Sequence, residues 1–443
     1  MRKDPTRRGD GVLASVLGKL SGVTVDISPL RESIPFRFLL VGQSLGWLGK
    51  HMRIVALAWQ VYSITGSSVA VGMLGLTELV PLVILSQFAG AIADTHDRRR
   101  IMWWSQAGSV GASLALAGLA VMHDAPLVAI YALSATAASF DALDSPARMA
   151  IVPSLVGWRG LAPAFALRQI LVQVTQILGP ALGGIMIASF SVASVYLVDA
   201  ATFVASIAML TWVPSQKPPS GEQVSRLEAV KEGLRFALGK RLLRAIFLVD
   251  LAAMIFGMPR ALFPELADEV FGIGAAGVGI LYSAPAVGAL IGAMFSGWVN
   301  NVSKQGPAIF IAVGGWAIAI TLAGVALPNL PLTLAFLAIA GAADVLSAVF
   351  RGTLLHQSTP DSLRGRVTSV NTLATVGGPR LGDMEAGTAA ALMGLRGSVV
   401  FGGAACLVVT ALIAFRYPEL RRFERSEGPA ADSGDPESDP RRG

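Results

Sequence analysis

Long apolar runs, separated by short polar turns, occupy most of the chain. A helix needs roughly 20 consecutive apolar residues to cross the hydrocarbon core of a bilayer, which is about 30 Å thick. Six runs of about this length fall near 38–62, 69–93, 102–122, 127–147, 164–188 and 192–213, and six more near 244–264, 275–299, 307–327, 331–352, 368–393 and 398–416. The pattern predicts an all-α membrane protein with twelve transmembrane helices, numbered here as spans 1 to 12.

A polar segment at 214–243 divides the spans into six and six. It begins with a stretch rich in Pro and Ser and continues as a charged amphipathic segment. Landmarks of the first half recur at a fixed offset, since Gly90 and Pro153 return 207 residues later as Gly297 and Pro360. Two related halves with a site between them are the architecture of the major facilitator superfamily. We therefore expect two pseudo-symmetric six-helix bundles.

The Lys and Arg residues between the spans predict how the protein is oriented. One side holds both chain ends and the residues Arg98, Arg99, Arg100, Arg148, Arg159, Lys304, Arg364 and Arg366, whereas the other side has only Arg260 and Arg396. Cytoplasmic loops carry such an excess, so both termini of this multi-pass protein of the inner (plasma) membrane are expected in the cytoplasm. The expected domains are a cytoplasmic tail (1–35), a six-helix bundle (36–213), a cytoplasmic linker with an amphipathic helix (214–243), a second six-helix bundle (244–417) and a disordered cytoplasmic tail (418–443).

Composition supports a membrane protein and narrows its function. Hydrophobic residues make up 53% of the 443 residues and charged residues only 14%, with a mean hydropathy of +0.61, whereas a soluble domain carries roughly 25% charged residues. The net charge of +6 is spread over short loops, which indicates membrane topology rather than a nucleic-acid partner. One cysteine, Cys406, and four scattered histidines offer no metal-binding spacing. Motifs for phosphate binding and hydrolysis are absent from the sequence, so we expect no cofactor, no metal and no enzymatic activity.

A glycine, two aspartates and an arginine cluster lie between spans 2 and 3, in the order Gly90-Ala-Ile-Ala-Asp94-Thr-His-Asp97-Arg98-Arg99-Arg100. This segment resembles the cytoplasmic signature of the major facilitator superfamily, although Thr95 stands where that family usually has Arg. An Asp at a helix end can face the positive N-terminus of a neighbouring helix, and Arg can pair with carboxylates across the halves. The resemblance implies a conformational latch formed by Gly90, Asp94, Asp97, Arg98 and Arg99. The alternative is a basic turn of a kind found in any membrane protein.

Span 5 contains a stretch of Gly and Pro, Leu178-Gly179-Pro180-Ala-Leu-Gly183-Gly184. It resembles the Gly-Pro signature of proton-coupled exporters in the same superfamily. Pro removes a backbone hydrogen bond and Gly allows bending, so Gly179, Pro180, Gly183 and Gly184 are expected to bend the helix and to favour export. The alternative is a seam at which small residues let two helices pack closely.

A wider resemblance covers most of the chain. The segments that carry it begin at Phe38, Trp59, Asp144, Thr359 and Leu381, and the most distinctive reads Leu381-Gly382-Asp383-Met-Glu385-Ala-Gly387. They are similar to the enterobactin-exporter and multidrug-efflux branch of the superfamily. The resemblance implies efflux of an amphiphilic small molecule. Lys50 departs from it, because relatives usually have Asp at that position.

Charged residues inside the spans are candidates for the transport pathway, since each costs at least roughly 2.5–3.5 kcal/mol at a helix centre. The candidates are Lys50, Arg53, Glu78, Asp141, Asp144, Asp250, Asp344, Arg351 and Glu385. The resemblance implies that spans 1, 4, 7 and 10 line the cavity, so charges on those spans rank first. Asp141 leads as the proton carrier, with Asp344 and Glu78 behind it. Arg380 and Asp383 are expected to pair within span 11, and for each candidate the alternative is a structural ion pair.

These observations predict a secondary transporter that exports a siderophore-like or drug-like amphiphile in exchange for protons by alternating access. The expected partners are this substrate, the proton and the lipid bilayer, and a monomer is expected. A nutrient importer or uniporter of the same fold is one alternative. A membrane protein that does not transport, such as a sensor or scramblase, is another.

Overall fold

The computed structural model describes residues 26–122, 124–216 and 226–424. Within them every regular element is helical, which confirms the predicted all-α class. The predicted disordered tail lies outside the described residues from 425 onward, as do residues 1–25 of the predicted N-terminal tail.

Long helices make up both halves. The first half contains α1 (Ile34–Thr65), α2 (Ser68–Thr95), α3 (Arg98–Val121), a helix over Leu127–Ser189 that we divide into α4 and α5, and α6 (Val192–Leu210). The second half contains α7 (Arg241–Phe256), α8 (Gly274–Met294), α9 (Gln305–Ala326), α10 (Leu330–Gln357) and a helix over Asp361–Arg416 that we divide into α11 and α12. The shorter elements are Ser28–Glu32, a linker helix at Arg226–Gly239, a 3₁₀ turn at Arg260–Leu262, Phe263–Glu265, a π-helical turn at Leu266–Val270, a 3₁₀ turn at Ser296–Asn301 and Pro418–Arg421.

Two glycines divide the two longest helices. Gly157 has φ 64° and Gly394 has φ 78°, values that glycine adopts far more readily than other residues. The chain reverses at these glycines, so α4 and α5, like α11 and α12, are separate arms. Eight helices of the described chain are long and apolar enough to cross a membrane by length and composition, and both divided helices are among them. The number of twelve crossings stays a prediction.

Polar side chains begin several of these helices. Ser33 accepts a hydrogen bond from Phe36 N at 3.2 Å at the start of α1, and Ser67 accepts one from Ala70 N at 3.4 Å at the start of α2. Such N-caps satisfy backbone donors that the helix itself leaves free. They fix where each turn ends, which aligns the helices that follow.

Short turns join consecutive helices, so their ends alternate between two ends of the molecule. We call the end that carries Arg98, Arg159 and Arg364 the basic end, and the other the opposite end. Large apolar side chains cover the outside, as shown by Val128 and Phe415, which are 78% and 77% exposed. This is the surface expected of a protein surrounded by lipid.

The two halves meet along two seams. At one seam α5 packs against α8, and at the other α2 packs against α11. In the second seam a Cβ atom added to Gly72 would come within 2.6 Å of the carbonyl oxygen of Asp383, so these backbones are in direct contact. The linker helix contacts the basic end of α11, where Glu232 and Arg366 form an ion pair of 2.5 Å.

Candidate transport site

A cavity of about 680 Å³ lies between the halves. Its charged lining residues are Lys50, Arg53, Glu78, Asp141, Arg366 and Arg380. It extends from these side chains to Pro146 and Gly365 near the basic end. The expectation that spans 1, 4, 7 and 10 line the cavity is wrong in part: α1 and α4 do, but α2 and α11 take the places of α7 and α10.

Four charges of the first half form one connected cluster at the cavity wall. Lys50 Nζ lies 2.9 Å from Asp141 Oδ2, and Arg53 Nη2 lies 3.4 Å from the same oxygen. Arg53 Nη1 pairs with Asp199 Oδ2 at 2.8 Å, and Ser113 Oγ donates to that oxygen at 2.6 Å. Two cations and two carboxylates therefore neutralise one another, and the structure brings Lys50, Arg53 and Asp141 together.

A second ion pair of α4 lies beside this cluster. Asp144 pairs with Arg148 one turn further along the same helix, and Gln106 Nε2 donates to Asp144 at 3.4 Å. The guanidinium groups of Arg148 and Arg168 lie 5.7 and 5.0 Å from the centre of the Trp47 ring. Sequence reasoning missed Arg168, although a charge inside the run 164–188 was the signal that could have found it.

Glu78 and Arg380 join the two halves within the cavity. Their side chains pair at 3.2 Å, and Ser134 Oγ donates to Glu78 at 2.7 Å. The prediction that Arg380 pairs with Asp383 is wrong, because Arg380 reaches across to α2 instead.

The candidate charges of the second half lie apart from the main cavity. Arg351 pairs with Asp250 at 2.8 Å and lies 3.9 Å from Asp344. Asp344 borders a smaller cavity of about 190 Å³ that also contacts His51. Glu385 is half-buried, and its side chain forms no ion pair with another described residue.

Within the predicted latch segment, Asp97 contacts residues of its own half. Asp97 begins α3 by accepting a hydrogen bond from Arg99 N at 3.0 Å, and it also accepts hydrogen bonds from Ser215 Oγ and from Gln216 N. Burial acts to raise the pKa of Asp97, but these hydrogen bonds outweigh it and hold the pKa below its usual range.

Arg98 has similar local partners. Its Nη1 donates to the carbonyl oxygen of Ala150 at 2.9 Å, and its backbone N–H donates to Gln216. Gly90 is buried near the end of α2, whereas Asp94 is exposed there. The described contacts of Asp97 and Arg98 thus join parts of the first half, and a latch between the halves stays a prediction.

The Gly-Pro stretch of α5 forms a seam. Between Leu127 and Ser189 the only break in helical backbone angles is at Gly157, so Pro180 lies within continuous helix and a bend there stays a prediction. Gly179 and Gly183 face the backbone of α1 at His51 and Met52. On the other side, a Cβ atom on Gly184 would come within 2.7 Å of an α8 carbonyl oxygen and 3.0 Å of Gly279. The motif lets α5 approach both α1 and α8.

Hydrogen bonds close the opposite end of the molecule. Tyr62 Oη donates to Glu269 Oε1 at 3.0 Å, and Ser68 Oγ donates to Glu265. Each bond joins the first half to the segment between α7 and α8. The main cavity does not extend to these residues. Sequence reasoning missed this closure, because no local pattern links a turn of one half to a turn of the other.

Comparison with known proteins identifies the family. A family described as transmembrane secretion effector matches residues 24–439. The enterobactin exporter of Shigella boydii serotype 18 is 29% identical over 409 residues, covering 91% of this chain and 96% of that protein, and the enterobactin exporter of Escherichia coli O157:H7 gives the same values.

Solved structures show the same fold at low sequence identity. The nucleoside transporter NupG matches with a TM-score of 0.72 at 11% identity, over 87% of this chain and 99% of its own. A bacterial homologue of the human lysosomal transporter Spinster matches with a TM-score of 0.71 at 14% identity, over 89% of this chain and 99% of its own. The chain belongs to the transmembrane secretion effector family, and it is a multi-pass membrane transporter of the major facilitator fold rather than an enzyme.

Proposed function

We propose that this transporter exports a siderophore-like or drug-like amphiphile from the cytoplasm in exchange for protons. The observation that carries the proposal is the cavity of about 680 Å³, which extends to the basic end, while Tyr62 and Ser68 close the opposite end. The excess of Lys and Arg supports placing the basic end, with both termini, in the cytoplasm. This conformation would then load its cargo from inside the cell, and the similarity to enterobactin exporters supports outward transport.

Transport would proceed by rocking of the two halves about the α5–α8 and α2–α11 seams. The other state would open the contacts of Glu265 and Glu269 and bring the latch segment against the second half. The cavity lies between the two halves of one chain, and we expect the protein to act as a monomer. Proton and cargo must bind the two states with different affinity, since a ligand shifts only an equilibrium that it distinguishes.

Asp141 is the proposed proton carrier. It lies at the cavity wall, and its single negative charge is shared between Lys50 and Arg53 in this state. A proton on Asp141 would remove that charge and leave Arg53 and Lys50 to repel one another across the cluster. Asp344 and Glu78 follow as candidates, the latter because its pair with Arg380 spans the halves.

Everted membrane vesicles test the direction and the driving force. With an acidic lumen, an exporter should accumulate the neutral amphiphile N-phenyl-1-naphthylamine in the lumen, and a protonophore should abolish the accumulation. A nutrient importer would move its substrate out of the vesicles instead, and a sensor or scramblase would show no gradient-dependent flux.

Profiling of compounds retained by iron-limited cells that lack the protein would then identify the natural cargo. Gradient-independent movement of every retained compound would contradict the proposal.

A further inference from the structure

A small side cavity of about 100 Å³ opens off the transport pathway between α1, α4, α5 and α6. Its walls include Trp47 and Lys50 from α1, Asp141, Asp144 and Arg148 from α4, and Arg168 from α5. Lys50, Asp141 and Ser145 line both this side cavity and the main cavity. A bound molecule could therefore occupy both spaces at once.

The charges around the side cavity do not balance. Three cations face it, and the two carboxylates are already paired, Asp141 with Lys50 and Asp144 with Arg148. Arg168 is the remaining cation, and it forms no ion pair with any residue in the described ranges. Its guanidinium stacks on Trp47 at 5.0 Å, which holds the charge in place without neutralising it.

Two buried donors at this cavity also lack partners. The Nε atoms of Arg148 and Arg168 are buried and make no hydrogen bond with the described protein. Arg148 is only 8% exposed, so solvent does not readily satisfy its guanidinium. Guanidinium N–H groups are strong donors to carboxylate, sulfonate and phosphate oxygens. The unbalanced charge and the free donors both call for an anionic oxygen.

We propose that this side cavity binds an anionic oxygen group of the cargo, while the apolar body of the same molecule occupies the main cavity beside residues such as Leu57, Leu82 and Leu373. The inference rests on the proposed export function and narrows its substrate class to anionic amphiphiles. Arg168 and Arg148 supply the donors, and Lys50 lies at the junction of the two cavities.

Two matched fluorescent probes test this assignment. 8-Anilinonaphthalene-1-sulfonate and N-phenyl-1-naphthylamine share the same ring system and differ by one sulfonate. Binding is measured by fluorescence titration of the full-length protein in nanodiscs of zwitterionic lipid, with empty nanodiscs subtracted. We expect the sulfonate to bind at least tenfold tighter than the neutral probe, and inorganic sulfate to compete only with the sulfonate.

Variants of Arg168 locate the effect. Arg168→Met should weaken sulfonate binding about tenfold and change binding of the neutral probe less than twofold, whereas Arg168→Lys should retain most of the preference. Arg159→Met is the matched control, because Arg159 is an exposed arginine near the basic end. The thermal unfolding midpoint of each variant shows whether a loss of binding reflects misfolding. The preference of the wild-type protein for the sulfonate probe, and its competition by sulfate, test the proposal without any variant.

Equal affinity of the wild-type protein for the two probes would overturn the proposal. A preference for the sulfonate probe that persists in correctly folded Arg168→Met would also overturn the proposal. Sulfate that stabilises the wild type through Arg168, without a preference for the sulfonate probe, would show a free-anion site and would also overturn the cargo assignment. Gradient-driven movement of the neutral probe in vesicles reports on the export function separately, so each hypothesis can fail alone.

Discussion

At the scale of single residues, the charges of the first half act as a group. Asp141 is shared between Lys50 and Arg53, and Arg53 is in turn shared with Asp199. Asp199 is completely buried where it pairs with Arg53, whereas Lys50 and Asp141 both line the cavity. A change at Asp141 thus alters the charge seen by the cargo without removing the buried pair.

Asp141→Asn should uncouple transport from the proton gradient. Asparagine keeps the size and one carbonyl oxygen of the side chain but cannot bind a proton, so gradient-driven accumulation in everted vesicles should fall at least tenfold while exchange of preloaded probe without a gradient persists. Asp344→Asn is the matched comparison. Full gradient-driven accumulation by Asp141→Asn, together with its loss in Asp344→Asn, would contradict the assignment of Asp141. The proton carrier would then be Asp344, in the second half.

Asp97→Ala should lower stability by about 1 kcal/mol, because it removes the N-cap of α3 and the contacts to Ser215 and Gln216. The folded pKa of Asp97 is lowered, so this stabilisation is present above the unfolded value of 3.8 and is lost only as pH falls through the folded pKa. The variant should therefore unfold at a lower temperature than wild type by the same margin at pH 5.5 and at pH 8. Asp124→Ala, at an exposed turn, is the control. A margin that disappears at pH 5.5 would contradict the assignment.

The sequence allowed prediction of which charges lie within the spans but not of how they pair. Asp141 and Asp144 stand three residues apart on one helical face, yet Asp141 turns to α1 and Asp144 pairs along its own helix. Arg380 passes over Asp383, three residues away, to reach Glu78 on a helix of the other half. Spacing along one helix cannot determine such partners, because the choice depends on which neighbour supplies a counter-charge at the same depth.

At the scale of helices, the apolar pattern predicted the elements well, but not every boundary or contact. The helices begin and end within a few residues of most predicted spans, because the length of an apolar run is set by the bilayer. The predicted linker extends to 243, whereas the linker helix ends at Gly239 and α7 already begins at Arg241. In α5 the composition around Pro180 allowed either a bend or a seam; the close approach of α8 forms the seam, and the bend stays a prediction.

Gly279→Ala should force the α5–α8 seam apart. The added methyl carbon would lie 2.4 Å from the carbonyl oxygen of Pro180, a contact that requires the backbones to move. We expect reduced transport and a longer distance across the opposite end, measured by electron–electron resonance between spin labels at 190 and 392 in a Cys406→Ser background. Gly111→Ala is the control, since a Cβ atom there meets nothing within 4 Å. An unchanged distance together with wild-type transport would contradict this prediction and show that the α5–α8 seam accommodates the added methyl group.

At the scale of the whole molecule, the two ends differ in how the halves meet. The opposite end is held by the contacts of Tyr62 and Ser68, and the cavity reaches the basic end between α2, α4 and α11. Internal repetition was enough to predict two halves with a site between them. It could not predict which helices line the cavity, because that depends on the conformation that the two halves adopt.

The paired variant Tyr62→Phe with Ser68→Ala should shift the protein toward the state that is open at the opposite end. It removes the hydroxyl donors to Glu265, which is half-buried, and to Glu269, which is exposed. A hydrogen bond to a charged group contributes about 1.5–3 kcal/mol, and each 1.4 kcal/mol changes a population ratio about tenfold. Loss of even one such contribution should thus change the ratio of states by about tenfold or more. Under the proposed rocking of two rigid halves, spin labels at 190 and 392 should move apart while labels at 158 and 422, at the basic end, approach one another.

The matched control is Ser63→Ala with Thr65→Val, which removes two hydroxyls that bond only to carbonyls of their own helix. It should leave both distances unchanged. Lengthening at both ends in the Tyr62 and Ser68 variant would indicate general loosening rather than rocking. Lengthening at the opposite end alone would mean that the two ends are not coupled, which alternating access between rigid halves does not permit.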